Sequence, residues 1–235
     1  MSLIFFIPGT ACNEQTWSKL WPLLDQNNQL VHLKLAKSGS LVDVVAMLVA
    51  NIKEISNGRE FSLIGFSLGG YLASAISLHF NQQLTRLMVI ANVPKTLPLK
   101  ELAARKSIIA SIEKSGYQGL KKNRLRHFLD SSQHDNEPLF AIIMAMDSCF
   151  TKEDVIHHLG PLSVREDLTL ALVNKKLPIW FCFGDNDALV NEQQLLTMQL
   201  GCRHISLHEI ASCGHFLPLE QPLQLAQLIK DWLQR

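Results

Sequence analysis

Short, nearly unbroken apolar runs alternate along this chain with longer stretches in which apolar residues recur every three to four positions. The runs at residues 3–8, 30–35, 61–65, 84–91, 178–183 and 204–210 predict strands, and the first reads as a buried one. Helical spacing marks residues 41–55, 68–80, 192–200 and 222–233, with a shorter helix expected over 17–24. Pro222 suits the first turn of the last helix, where its missing N–H costs nothing. Strands alternating with helices predict an α/β fold with a mostly parallel sheet flanked by helices on both faces.

The alternation breaks once. From residue 96 to 176 no strand pattern appears, and the segment reads as several short helices. The expected organisation is therefore an α/β core made of residues 1–95 and 177–235, with 96–176 inserted as a helical cap over the C-terminal edge of the sheet. That edge is where open α/β sheets bind ligands. The most apolar part of the cap, residues 139–146, is either its own core or the lining of an acyl pocket.

The sharpest chemical signal is Gly65-Phe66-Ser67-Leu68-Gly69-Gly70. A nucleophilic serine must project from a tight strand-to-helix turn, which strains its backbone and leaves room only for small residues two positions either side. A chain of this length shows G-x-S-x-G by chance about one time in ten. Here the motif follows an apolar strand and opens a helical stretch, and that context carries the assignment. A base and an orienting acid are expected in the order Ser, Asp or Glu, His. Asp187 follows the fifth strand and the turn Gly184-Asp185-Asn186, with Asp185 as the nearby competitor; reach favours Asp187. His215 follows the sixth strand, in a loop from which it can meet both serine and acid. The oxyanion donors expected are the backbone N–H of Leu68, at a helix N-terminus, and that of Thr10, in the loop after the first strand. His32, His204 and His208 read as ordinary strand residues.

With these residues the sequence resembles the α/β-hydrolase superfamily, in its small-cap branch, over nearly its whole length. The resemblance rests on the Ser67 motif, on Gly184-x-x-Asp187, and on Gly214-His215 followed by Glu220 and Pro222. It implies catalytic roles for Ser67, Asp187 and His215 and oxyanion roles for Thr10 and Leu68, and it supports Asp187 over Asp185. The chain is most similar to two groups. One is the pimeloyl-ACP methyl ester carboxylesterases with related small carboxylesterases, and the other is the menaquinone-pathway lyases that use the same triad. It departs from the usual family pattern in having Pro8-Gly9 in place of His-Gly after the first central strand. The reading is a serine hydrolase that cleaves a carboxylic ester or thioester through an acyl-enzyme on Ser67, with no cofactor and no metal. The alternatives are a lyase on the same triad and a non-catalytic binding protein on a hydrolase fold.

Charge and cysteine usage refine this picture. Between Lys95 and His127 stand nine basic residues and only two acidic ones, in a chain whose formal net charge is +1. Solvated helix faces account for such a stretch, and so does an acidic partner steered to the cap, for which an acyl carrier protein fits. Without interleaved aromatics or a nucleic-acid motif, nucleic acid is not the expected partner. Five cysteines, odd in number and without C-x-x-C, predict reduced thiols. His157-His158 tempts a metal reading, but adjacent side chains on a helix diverge. No run approaches the roughly 20 apolar residues of a membrane span. The first apolar run is too short for a signal peptide, so the expected location is cytoplasmic.

Overall fold

The computed structural model describes residues 2–24 and 26–234. Six strands form one parallel sheet: β1 (Leu3–Ile7), β2 (Gln29–His32), β3 (Phe61–Phe66), β4 (Leu84–Ile90), β5 (Ile179–Gly184) and β6 (Ile205–Ile210), in the spatial order β2-β1-β3-β4-β5-β6. The helices are α1 (Leu41–Ser56), α2 (Leu68–Ser77), α3 (Leu99–Ser115), α4 (Lys122–Leu125), α5 (Glu137–Asp147), α6 (Lys152–Leu159), α7 (Thr169–Asn174), α8 (Glu192–Gln199), α9 (Leu217–Glu220) and α10 (Pro222–Gln234). This is the parallel α/β architecture that the strand and helix patterning implied.

The continuous apolar runs have a direct cause. Leu3, Phe5 and Ile7 of β1 pack with α1 and α2 on one face of the sheet, while Ile4 and Phe6 pack with Trp17 and α10 on the other. A strand buried on both sides has no polar phase to show. The edge strand β2 is only half-buried and ends at His32, three residues short of the expected limit. Leu33 still donates its N–H to the Phe6 carbonyl, at 2.9 Å, before the chain leaves the sheet.

The helix expected over residues 17–24 is instead two 3-10 turns, Glu14–Trp17 and Trp21–Leu23. The Asn13 side chain caps the first by accepting from the Gln15 N–H. Pro22 is the second residue of the other, within its first turn, where its missing N–H costs no intrahelical bond. Between β4 and β5 the described residues form helices α3–α7 and short 3-10 turns, with no strand. Of the apolar run 139–146, Leu139, Phe140, Ile143 and Met146 join the core beneath the sheet, and none of its residues lines the cavity above Ser67.

Candidate active site

Ser67 sits between β3 and α2 with φ 53° and ψ −118°, the strained conformation expected of a nucleophile on a tight turn. The neighbouring glycines are required by contact. A Cβ on Gly65 would lie 2.1 Å from the Gly69 carbonyl oxygen, and one on Gly69 would lie 2.2 Å from that of Ile7. No larger residue fits while the turn packs this closely.

His215 brings the site together. Its Nε2 lies 2.9 Å from Ser67 Oγ, and its Nδ1 lies 3.0 and 2.9 Å from the two carboxylate oxygens of Asp187. A carboxylate can only accept, so Nδ1 carries the proton and Nε2 is left to accept from the serine hydroxyl. Histidine and acid are both buried, at 6% and 8% exposure, which keeps water from competing for these bonds. Asp187 also accepts from the Leu189 N–H at 2.9 Å. Asp185 points elsewhere: its Oδ1 accepts from the Cys213 N–H and from the Asn186 amide, so it ties the β5 turn to the loop after β6. An imidazole oriented by a buried carboxylate can take the hydroxyl proton and stabilise its own charged form.

Thr10 and Leu68 flank the serine. Leu68 opens α2, and Thr10 lies in the turn Gly9–Cys12, which the Cys12 N–H closes by donating to the Gly9 carbonyl at 3.3 Å. A Cβ on Gly9 would stand 3.1 Å from that of Ser67, which shows how near the turn runs. Among the described residues neither the Thr10 nor the Leu68 N–H has an acceptor. Two backbone donors beside a serine hydroxyl can receive a developing oxyanion.

The loop bearing His215 is held by Glu220 and by two residues, Phe128 and Asp130, that no local pattern announces. The His215 N–H donates to the Phe128 carbonyl at 2.6 Å. The buried Glu220 accepts from the N–H groups of Asp130, Gly214 and Phe216 at 2.8, 3.1 and 2.9 Å. Burial pushes the Glu220 carboxyl up, against the pull of these three donors. Asp130 in turn accepts from the Asn186 amide at 2.9 Å, beside the acid turn. Glu220 was visible as part of the Gly214-His215…Glu220 pattern; Phe128 and Asp130 carried no signal.

A cavity of about 270 Å³ opens over Ser67, walled by Ile108, Leu120, Val155, Leu159, Leu189 and Phe216. Its polar groups include Tyr117, whose hydroxyl donates to the buried Asp147, and Arg105, bonded to Glu101. In the basic stretch Lys95, Arg105, Lys122 and Arg126 pair with Asp167, Glu101, Glu137 and Asp135 at 3.5, 2.6, 2.5 and 3.9 Å. Lys100, Lys106, Lys114, Lys121 and Arg124 are exposed. The two adjacent histidines diverge: His157 donates through Nε2 to the Gly39 carbonyl at 2.8 Å, while His158 turns to the Ala11 N–H. Outside the site, His32 accepts from the Trp17 indole and His208 stacks on Trp180. The cysteines are free; burial pushes Cys12 and Cys182 up to about 12 and raises Cys213 as well. No helix among the described residues is long and apolar enough to cross a membrane.

A family model described as the alpha/beta hydrolase family matches residues 4–228. The chain is 22% identical to the biotin biosynthesis bifunctional protein BioHC of Teredinibacter turnerae; the match covers 100% of the chain and 45% of that protein. Among solved structures it is similar to a thermophilic esterase from Thermogutta terrifontis (TM-score 0.89, 18% identity, 100% of this chain and 90% of that one). It is also similar to the enol-lactonase from Burkholderia xenovorans LB400 (0.86, 14%, 100% and 92%) and to MenH from S. aureus (0.82, 16%, 99% and 93%).

Proposed function

This chain belongs to the alpha/beta hydrolase family, and we propose that it is a serine hydrolase cleaving a carboxylic ester or thioester through an acyl-enzyme on Ser67. The observation that carries the reading is the continuous hydrogen-bonded chain from Ser67 Oγ through His215 to Asp187. In the first half-reaction His215 takes the serine proton as Oγ attacks the carbonyl carbon. The oxyanion is received by the Thr10 and Leu68 N–H groups, and the leaving alcohol or thiol departs with the proton from His215. Water, deprotonated by His215, then releases the acid. Asp187 holds the ring in the required tautomer and stabilises its charged form throughout.

Residues 96–176 act in this reading as a cap, and the apolar cavity beneath it accepts the acyl chain. Arg124 supports a further element of the proposal, because it is exposed and also borders the cavity. Lys100, Lys106, Lys114 and Lys121, exposed on the same segment, add positive charge that suits an acidic acyl carrier protein. The test is a panel of p-nitrophenyl and carrier-borne esters on wild type and Ser67→Ala, at low and high salt. Burst release of p-nitrophenol and labelling of Ser67 by a fluorophosphonate are expected in wild type and lost in Ser67→Ala. Labelling without release of p-nitrophenol would favour the lyase alternative. Neither labelling nor turnover would leave a binding protein. A salt-sensitive preference for carrier-borne esters is expected, and salt-independent activity on small esters alone would remove the carrier from the proposal.

A further inference from the structure

The turn that carries Thr10 is held from outside the sheet. His158, on α6, is 2% exposed, and its Nδ1 accepts from the Ala11 N–H at 3.1 Å. Ala11 has φ 49°, in the left-handed region that a residue with a Cβ occupies reluctantly. The turn's own closing bond, Cys12 to Gly9, is long at 3.3 Å. The Ala11 side chain packs in a small cluster with Ile112 of α3 and Val155 of α6, apart from the two large cores of the sheet. The remaining support of this peptide thus comes from the helices between β4 and β5. The bond to His158 also needs a neutral ring. Burial, with His157 beside it, lowers the His158 imidazole to about 4 against the opposing pull of Asp154. Near pH 7 the proton therefore sits on Nε2 and Nδ1 is free to accept.

We propose that His158 is a positioning residue for the oxyanion site: by accepting from Ala11 it fixes the 9–12 turn so that the Thr10 N–H points to where the oxyanion forms. This rests on the acyl-enzyme reading above, and it assigns to a helix of the inserted segment part of the geometry at Ser67. His158 touches no reacting atom. Its loss should appear where an oxyanion donor acts, in the transition state rather than in substrate binding.

The test compares His158→Leu, His158→Asn and His158→Gln with wild type, on a p-nitrophenyl ester and on an alkylboronic acid, whose tetrahedral adduct puts an oxygen at the same donors. For His158→Leu, kcat should fall about 10- to 100-fold with KM within about twofold, and boronate affinity should weaken by a like factor. His158→Asn sets an amide oxygen near the place of Nδ1 and should stay within about threefold of wild type, while His158→Gln sets it one bond too far and should not. A histidine with a merely structural role would lower Tm without separating kcat from KM. Wild-type kcat in a folded His158→Leu overturns the inference. Should that variant not fold, equal activity in His158→Asn and His158→Gln overturns it instead. A wild type that neither turns over the ester nor takes a fluorophosphonate sinks the hydrolase reading, and this inference with it.

Discussion

Helices α1 and α3 are nearly equal in length, sixteen and seventeen residues, yet α1 buries six side chains and α3 buries one. Helix α1 begins with a full capping box, Ser40 with Asp43, and ends at Asn57 in a left-handed conformation. Helix α3 begins after Pro98 with no side-chain cap, and Leu99 at its start is 84% exposed. The first helix is bolted to the sheet; the second lies across the cavity on a few contacts, Ile112 chief among them. Stability and access are thus held by different parts of the molecule. The ends of the sheet carry Ser67, Asp187 and His215, and the segment between β4 and β5 encloses the space in front of them and braces the His215 loop through Phe128 and Asp130.

Substitutions can break or sharpen this contrast. The largest effect belongs to the sheet-borne site: Asp187→Asn should lower kcat by about 10⁴-fold through the wrong histidine tautomer. Tm should change little, and steady-state kinetics beside a thermal melt checks both. Next comes packing. Leu48→Ala, at 0% exposure on α1, should cost about 2–5 kcal/mol. Leu99→Ala on α3 should stay within about 0.5 kcal/mol. Equal losses in urea melts would erase the distinction between the two helices.

Glu220 joins the two regions, so Glu220→Gln tests the joint. A glutamine has one acceptor oxygen where three N–H groups now converge, and at least one would face its NH₂. A loss of about 1–3 kcal/mol is expected. As the His215 loop loosens, kcat should fall about 10- to 100-fold. A variant that lost stability but kept its kcat would show that the clamp does not set the site.

The smallest effect is acid sensitivity. Unfolded, His158 takes its proton near 6.5; folded, it resists to about 4. Over that window the unfolded state binds more protons, so stability is greatest above 6.5 and falls as the pH drops toward 4. Tm should decline between pH 7.5 and 5, and less steeply in His158→Asn. An equal slope in both would assign the decline to other groups.

What the sequence made legible follows from distance along the chain. Strands β1 and β5 announced themselves because burial on both faces leaves an unbroken apolar run, and β3 and β4 through runs broken only by Ser62 and by Thr85-Arg86. Ser67, Asp187 and His215 were each findable because each follows a strand. The 3-10 turns around Trp17 and Pro22 were not, since their apolar spacing resembles one turn of α-helix. The tie from His158 to Ala11 spans 147 residues and that from Glu220 to Asp130 spans 90, so no local period reports either. The divergence of His157 and His158, which counts against a shared metal, is the same geometry that sends one ring to Gly39 and the other to Ala11.

The Glu220 clamp also limits what can be transplanted. A designer who replaced residues 96–176 with the corresponding segment of another family member would remove Phe128 and Asp130. The backbone partners of His215 and Glu220 would go with them. A working chimera therefore has to keep the 128–130 strip as part of the recipient scaffold and graft on either side of it, as though this short piece belonged to the sheet and not to the insert.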